Sequence, residues 1–126
     1  MVKSFGTALN CIDGRTQISI IEWMKAHFCL DYIDLITEPG MDGVLSHGNS
    51  KEIGRIKDKV IISINAHNSR TLAVVGHYDC AANPVSDSEH IRDIAISVNI
   101  VKSWHLPLMV IGLWVDELWK VHLVCM

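Results

Sequence analysis

Apolar positions along the chain alternate between short runs typical of buried strands and longer stretches with helical spacing. Five apolar runs predict strands at residues 5–11, 32–36, 72–75, 108–115 and 119–124. The third run has no polar interruption, which is typical of a strand that is buried on both faces in a parallel sheet.

Three stretches with helical spacing lie between the first four strands. They are predicted at residues 16–29, from 49 to about 67, and from 86 to before Pro107. Each begins at a residue that can cap a helix, namely Thr16, Asn49 and Ser86. A glutamate follows both Asn49 and Ser86 at the third position, which is a capping-box pattern. The glycine-rich segment at 40–48 is predicted to be a loop.

This order of elements predicts an α/β fold. Helices that join successive strands require parallel crossovers, whereas the tight connection at 116–117 joins the last two strands as a hairpin. We therefore expect a mostly parallel sheet, flanked by helices, with an antiparallel strand at its C-terminal edge. For this sheet we take the order 2-1-3-4.

Composition narrows the class of protein. The 126 residues, of which 49% are apolar and 20% charged, predict one globular domain at 1–126. A net charge of -3 argues against a nucleic-acid partner. The longest apolar run, at 106–115, is half of the roughly 20 residues that a membrane span needs. The first residues show no signal-peptide pattern, so we expect a cytoplasmic protein with reduced thiols that can bind metal.

Metal-binding side chains follow the first and third predicted strands. Cys11 comes after the first, and His77 and Cys80 come after the third. In strand order 2-1-3-4 these two strand ends are neighbours, and ligands bind at such a crevice. Two sulfurs and an imidazole favour zinc, and three protein ligands leave its fourth position open, as in catalytic zinc sites.

Two charged residues lie close to the first cysteine. Arg15 can hold Asp13 ionised and oriented through a bidentate contact. Asp13 can then accept a hydrogen bond from a zinc-bound water, or it can fill the fourth zinc position itself. The spacing leaves both arrangements open.

These motifs resemble the zinc signature of the β-class carbonic anhydrases. The signature consists of Cys11-x-Asp13-x-Arg15 and His77-x-x-Cys80, and the likeness continues at 76–82 and 111–116. The resemblance implies a Zn²⁺ cofactor held by Cys11, His77 and Cys80, with Asp13 and Arg15 as catalytic residues. It also implies reversible hydration of carbon dioxide to bicarbonate by zinc-bound hydroxide, and a homodimer or higher homo-oligomer.

The chain departs from this family at several positions. Residues 37–40 read Thr-Glu-Pro-Gly where family members usually carry Arg-Asn-Ala-Gly, and Gly14 replaces a usual Ser or Ala. Ten residues precede Cys11, so we expect the family's N-terminal helical arm to be missing. Two alternatives therefore stay open: a zinc-binding protein without turnover, acting in regulation or interaction, and a hydrolase of carbonyl sulfide or carbon disulfide.

Other residues with possible chemistry have simpler interpretations. Cys29 and Cys125 are read as structural, His47 as an exposed loop residue and His90 as a residue on a helix surface. Gly40 and Gly43 are expected to serve turn geometry.

Overall fold

The computed structural model describes residues 2–126. Its strands are β1 (Phe5–Asn10), β2 (Tyr32–Thr37), β3 (Thr71–His77), β4 (Met109–Val115) and β5 (Val121–Cys125). Its helices are α1 (Gly14–Phe28), α2 (Met41–His47), α3 (Ser50–His67) and α4 (Asp87–Lys102). None of these helices is both long and apolar enough to cross a membrane.

The five strands form one sheet in the order β2-β1-β3-β4-β5. The first four run parallel to one another, and β5 pairs antiparallel with β4. The predicted α/β class, the order 2-1-3-4 and the antiparallel edge strand are confirmed. The chain order reverses between β1 and β3, and the carboxyl ends of these neighbours form the crevice expected there.

Helices cover both faces of the sheet, and each face has its own apolar core. On one face Leu9, Leu72 and Val74 pack with the buried side chains of α3 and α4. On the other face Ala8, Ala73, Val75 and Leu113 pack with Ile20 and Met24 of α1. Alternate residues of β3 thus enter opposite cores, which explains its unbroken apolar run.

The prediction of a loop at 40–48 is wrong, because this segment contains α2. Met41 and Leu45 are one helical turn apart, and both are fully buried. Gly40 precedes the helix in the left-handed conformation (φ 65°), which turns the chain sharply out of β2. The high glycine content of the segment concealed this short amphipathic helix.

Two other boundaries differ from the prediction. Helix α1 is capped by Asp13 rather than Thr16, because the Asp13 carboxylate accepts a hydrogen bond from the Arg15 backbone N–H. Strand β5 begins at Val121 rather than at 119. Trp119 lies instead in a tight turn, with φ 60°.

Candidate metal centre

Cys11, His77 and Cys80 converge at the carboxyl ends of β1 and β3. One ligand atom from each lies within 4.8 Å of the other two, and the two sulfurs are 4.0 Å apart. Each residue is at most 5% exposed. The sequence spacing had suggested this convergence, and the parallel pairing of β1 with β3 produces it.

The imidazole of His77 is oriented by a backbone contact. Its Nδ1 lies 2.7 Å from the Tyr78 carbonyl oxygen, to which it donates a hydrogen bond. Its buried Nε2 has no hydrogen-bond partner within residues 2–126. Burial opposes a charged ring, but the Cys11 sulfur and the Tyr78 carbonyl raise the pKa of His77 above its ordinary value. A proton and a metal ion compete for the Nε2 lone pair of such a ring.

Backbone N–H groups favour negative charge at both sulfurs. Gly40 donates to Cys11 Sγ at 3.3 Å. The backbone of Ala82 and Asn83 acts on Cys80 in the same sense, because it lowers the pKa of that thiol. Without a metal, a hydrogen bond shared with Cys80 lowers the pKa of Cys11, and the same contact raises the pKa of Cys80. One sulfur of the pair therefore ionises readily, and the backbone donors stabilise negative charge on both.

The three donors fit a zinc ion. Tetrahedral zinc with Zn–S bonds of about 2.3 Å holds two sulfurs about 3.8 Å apart, close to the 4.0 Å observed. A buried imidazole nitrogen without a partner is costly unless something binds it. Sulfur and imidazole donors also favour zinc over magnesium or calcium, which prefer oxygen.

Asp13 lies beside this donor set and is held by Arg15. Asp13 Oδ2 is 4.0 Å from His77 Nε2 and 2.7 Å from the Arg15 guanidinium. The Arg15 Nε contacts both carboxylate oxygens, at 3.1 and 3.2 Å. These hydrogen bonds lower the pKa of Asp13 to about 2. Asp13 is thus ionised at every physiological pH.

Arg15 is fixed by further contacts of its own. Its guanidinium donates to the carboxylate and the backbone carbonyl of Asp79, at 3.3 and 3.1 Å. It also lies over the Trp119 ring, 4.6 Å from the centroid. Asp79 is therefore a turn residue (φ 58°) that supports Arg15 and does not join the metal donors.

A small cavity adjoins Cys11 and Asp13. It has a volume of about 220 Å³. Its lining consists of Cys11, Ile12, Asp13, Pro39, Ala81 and Ala82. Apart from Asp13, these side chains are apolar or carry only a thiol, so the cavity suits a small uncharged molecule beside one carboxylate.

Three of the other residues singled out in the sequence lie away from the donor set. Cys29 is exposed at the C-cap of α1, and Cys125 is half-buried in β5. His47 has an exposed side chain, as expected, but it lies at the end of α2 rather than in a loop.

The surface interpretation of His90 is wrong. Its side chain is only 1% exposed, and its Nδ1 lies 2.6 Å from the carboxylate of Asp42. Asp42 and Asp93 are also buried, and Asn83 contacts both. This cluster has no contiguous signal in the sequence, because its members lie in α2, α4 and the loop after Cys80. Glycine at 43 and 76 leaves room for the cluster because it has no side chain, and these two glycines are the one local signal of the cluster in the sequence.

The family model and the solved structures that match this chain belong to the same class of protein. A family model described as "Putative carbonic anhydrase" matches residues 1–125. No curated protein matches the sequence significantly. Among solved structures, a β-carbonic anhydrase from Trichomonas vaginalis superposes with a TM-score of 0.67 at 16% identity, covering 98% of this chain and 84% of its own. A carbonic anhydrase from Glaciozyma antarctica gives 0.61 at 16% identity, with 94% and 81% covered. At such low identity these two structures support the fold alone.

Proposed function

The chain belongs to the carbonic anhydrase family described by the matching model, and from this premise we propose that it is a zinc-dependent lyase that interconverts carbon dioxide and bicarbonate. The observation that carries the proposal is the buried set of Cys11, His77 and Cys80, whose imidazole Nε2 lacks a partner within the described part of the chain. In this proposal these three residues hold the zinc ion. When bound, zinc supplies Lewis-acid chemistry that makes a water molecule nucleophilic near neutral pH.

Asp13 is proposed to orient the attacking water. Its carboxylate lies on the wall of the cavity and stays ionised, so it can accept a hydrogen bond from a water next to His77 Nε2. Arg15 is proposed to position Asp13. Because Arg15 engages both oxygens of Asp13, the geometry favours a carboxylate that accepts this hydrogen bond over one that fills the fourth metal position.

The size and lining of the cavity support a small, linear, uncharged substrate. A volume of about 220 Å³ with mostly apolar walls favours carbon dioxide over charged competitors. Carbonyl sulfide and carbon disulfide share this shape, so the assay has to distinguish them.

We further propose that the protein assembles as a homodimer, or a higher homo-oligomer, through the surface at the carboxyl ends of β1 and β3. Ile12 and Tyr78 adjoin the metal donors in sequence, and both are exposed apolar residues. Leu118, in the turn before β5, is exposed as well. Sedimentation of the purified protein tests this, since a monomer at micromolar concentration would contradict it. The cytoplasmic location stays a prediction.

The function is tested by metal analysis together with stopped-flow hydration of carbon dioxide. We expect about one zinc ion per chain and measurable turnover. Asp13→Asn should keep its zinc, because asparagine also caps helices. It should lower kcat by about 100-fold or more, because the amide no longer offers a charged acceptor on both sides to orient the attacking water. Asp58→Asn, at an exposed position of α3, is the matched control and should behave like the wild type.

Other results would point to the alternatives. Zinc without turnover up to about pH 9, near the pKa of water on aqueous zinc, would favour a non-catalytic zinc protein. Release of sulfide from carbonyl sulfide or carbon disulfide, with no hydration of carbon dioxide, would favour the hydrolase. A metal-free protein after purification in the presence of zinc would refute the proposal.

A further inference from the structure

A hydrogen-bonded network lies behind the metal centre, and Asn83 is at its middle. The Asn83 side-chain N–H₂ donates to Asp42 Oδ1 and to Asp93 Oδ2, both at 3.1 Å. The two carboxylates are almost fully buried, at 2% and 5% exposure. One amide group therefore bridges two carboxylates that water hardly reaches.

Each carboxylate is also held from its other oxygen. His90 Nδ1 lies 2.6 Å from Asp42 Oδ2, and His47 Nε2 lies 3.0 Å from Asp93 Oδ1. These contacts fix both acids relative to α2 and α4, so they give the Asn83 amide a rigid pair of acceptors.

These residues adjoin the two segments that contact the sulfurs, which are the turn from β2 into α2 at Gly40 and the loop after Cys80; both are called sulfur-contacting loops below. Asp42 follows Gly40, whose N–H donates to Cys11 Sγ, by two positions. Asn83 lies three residues after Cys80, and its backbone lowers the pKa of that thiol. The side-chain bond from Asn83 to Asp42 therefore connects the loop that contacts one sulfur to the loop that contacts the other.

Three glycines allow the two sulfur-contacting loops to approach each other closely, because glycine has no Cβ. A Cβ placed on Gly40 would lie 3.1–3.2 Å from Ala82 and Asn83, so the two loops pack backbone against backbone. A Cβ on Gly43 would lie 2.9 Å from Asn83 Cγ, and one on Gly76 would lie 2.7 Å from Asp42 Oδ2. Glycine at these positions leaves room for the bridging amide and for its acceptor.

We propose that Asn83 is a positioning residue that ties the two sulfur-contacting loops together, and thereby keeps their N–H donors directed at Cys11 and Cys80. Without the bridge, the loop after Cys80 would lose its anchor to Asp42 and Asp93. The sulfur pair would then be more accessible, and a metal ion would be held less tightly. The part that concerns metal rests on the proposed function, whereas the part that concerns the loops does not.

Two substitutions remove the bridge by different routes. Asn83→Ala deletes the amide from a half-buried loop position. Gly43→Ala keeps Asn83 but places a methyl group where its amide lies, so the amide has to move. The matched control is Gly54→Ala in α3, where a Cβ would meet no other heavy atom within 4 Å. Thermal unfolding of the metal-free proteins reports whether each variant folds.

The first readout is alkylation of the metal-free proteins by iodoacetamide, with the rate at each cysteine followed by peptide mass spectrometry. We expect Cys11 and Cys80 to react at least about tenfold faster in Asn83→Ala and Gly43→Ala, because a factor of ten corresponds to the loss of one of the two charge-assisted hydrogen bonds of the amide. The exposed Cys29 is the internal reference and should not change. Unchanged rates in Asn83→Ala, or an equal rise in Gly54→Ala, would overturn the proposal.

The second readout uses cobalt-loaded protein. Both bridge variants should lose cobalt to a chelator about tenfold faster and should show altered sulfur-to-cobalt absorption bands, which a purely structural role would leave unchanged. A wild type that binds no metal would contradict the proposed function instead, and the alkylation rates would still decide whether Asn83 ties the loops. Normal cobalt spectra and release rates in both variants would overturn its role toward the metal.

Discussion

Zinc binding should stabilise the native fold by an amount that can be calculated in advance. A ligand that binds only the native state adds RT ln(1 + [L]/Kd), which is about 2.7 kcal/mol when free zinc is 100 times Kd. A chain of 126 residues has an unfolding entropy of about 260 cal/mol/K, at roughly 2.1 cal/mol/K per residue. The ratio of these values predicts a rise in Tm of about 10 °C.

The structure explains why zinc should prefer the native state. Cys11 is far from His77 and Cys80 in the sequence, and the pairing of β1 with β3 brings them together. The unfolded chain offers only local pairs of ligands, such as His77 with Cys80 or His122 with Cys125. Binding to such pairs would reduce the shift, so about 10 °C is an upper value at this zinc excess.

The assay is calorimetric unfolding in zinc buffered at a hundredfold excess over a separately measured Kd. Cys80→Ser should abolish the shift, whereas Cys29→Ser, which changes an exposed thiol far from the centre, should retain it. Magnesium should have no effect, because it prefers oxygen ligands. A wild-type Tm that zinc leaves unchanged, or an equal rise in Cys80→Ser, would refute the assignment of the three donors.

Two further predictions concern stability. Asp116 closes the β4–β5 turn by accepting hydrogen bonds from His122 and from the backbone of that turn, and these contacts lower its pKa. Its contribution is therefore present above the pKa of an unfolded aspartate, near 4, and disappears as pH falls through the lowered folded value. Urea unfolding should show Asp116→Asn less stable than the wild type at pH 7, with a difference that shrinks as the pH falls below about 4, and a constant difference would contradict this. Leu113→Ala, at a fully buried position, should lower the free energy of unfolding by about 2–5 kcal/mol. Ile18→Ala, at an exposed position of α1, should change it by less than about 0.5 kcal/mol, and equal effects of the two substitutions would be inconsistent with this packing.

Much of the fold could be predicted because its signals are local. The unbroken apolar run of β3, the helical spacing of α3 and its Asn49–Glu52 capping box are each visible within one element. Helices between the first four strands then leave a parallel sheet as the consistent topology. The short α2 was missed because its signal is a single pair of buried residues, Met41 and Leu45, in a segment dominated by glycine.

The sequence by itself determined the order of strands and helices along the chain and the places where chemistry can occur. It puts Cys11 after β1 and His77 at the end of β3, and an open parallel sheet binds ligands at neighbouring strand ends. The contact between Asp13 and Arg15 was also foreseeable, because the two residues lie in one turn at the start of α1.

The tertiary structure alone decided how the donors are supported. The N–H groups that reach the sulfurs come from Gly40 and from Asn83 with its neighbour, which are distant in sequence. The buried acids Asp42 and Asp93 meet the Asn83 amide because α2, α4 and the loop after Cys80 pack together. The physical reason is that a buried carboxylate is stable only with hydrogen-bond partners, and its partners here come from elements whose contact no local pattern encodes.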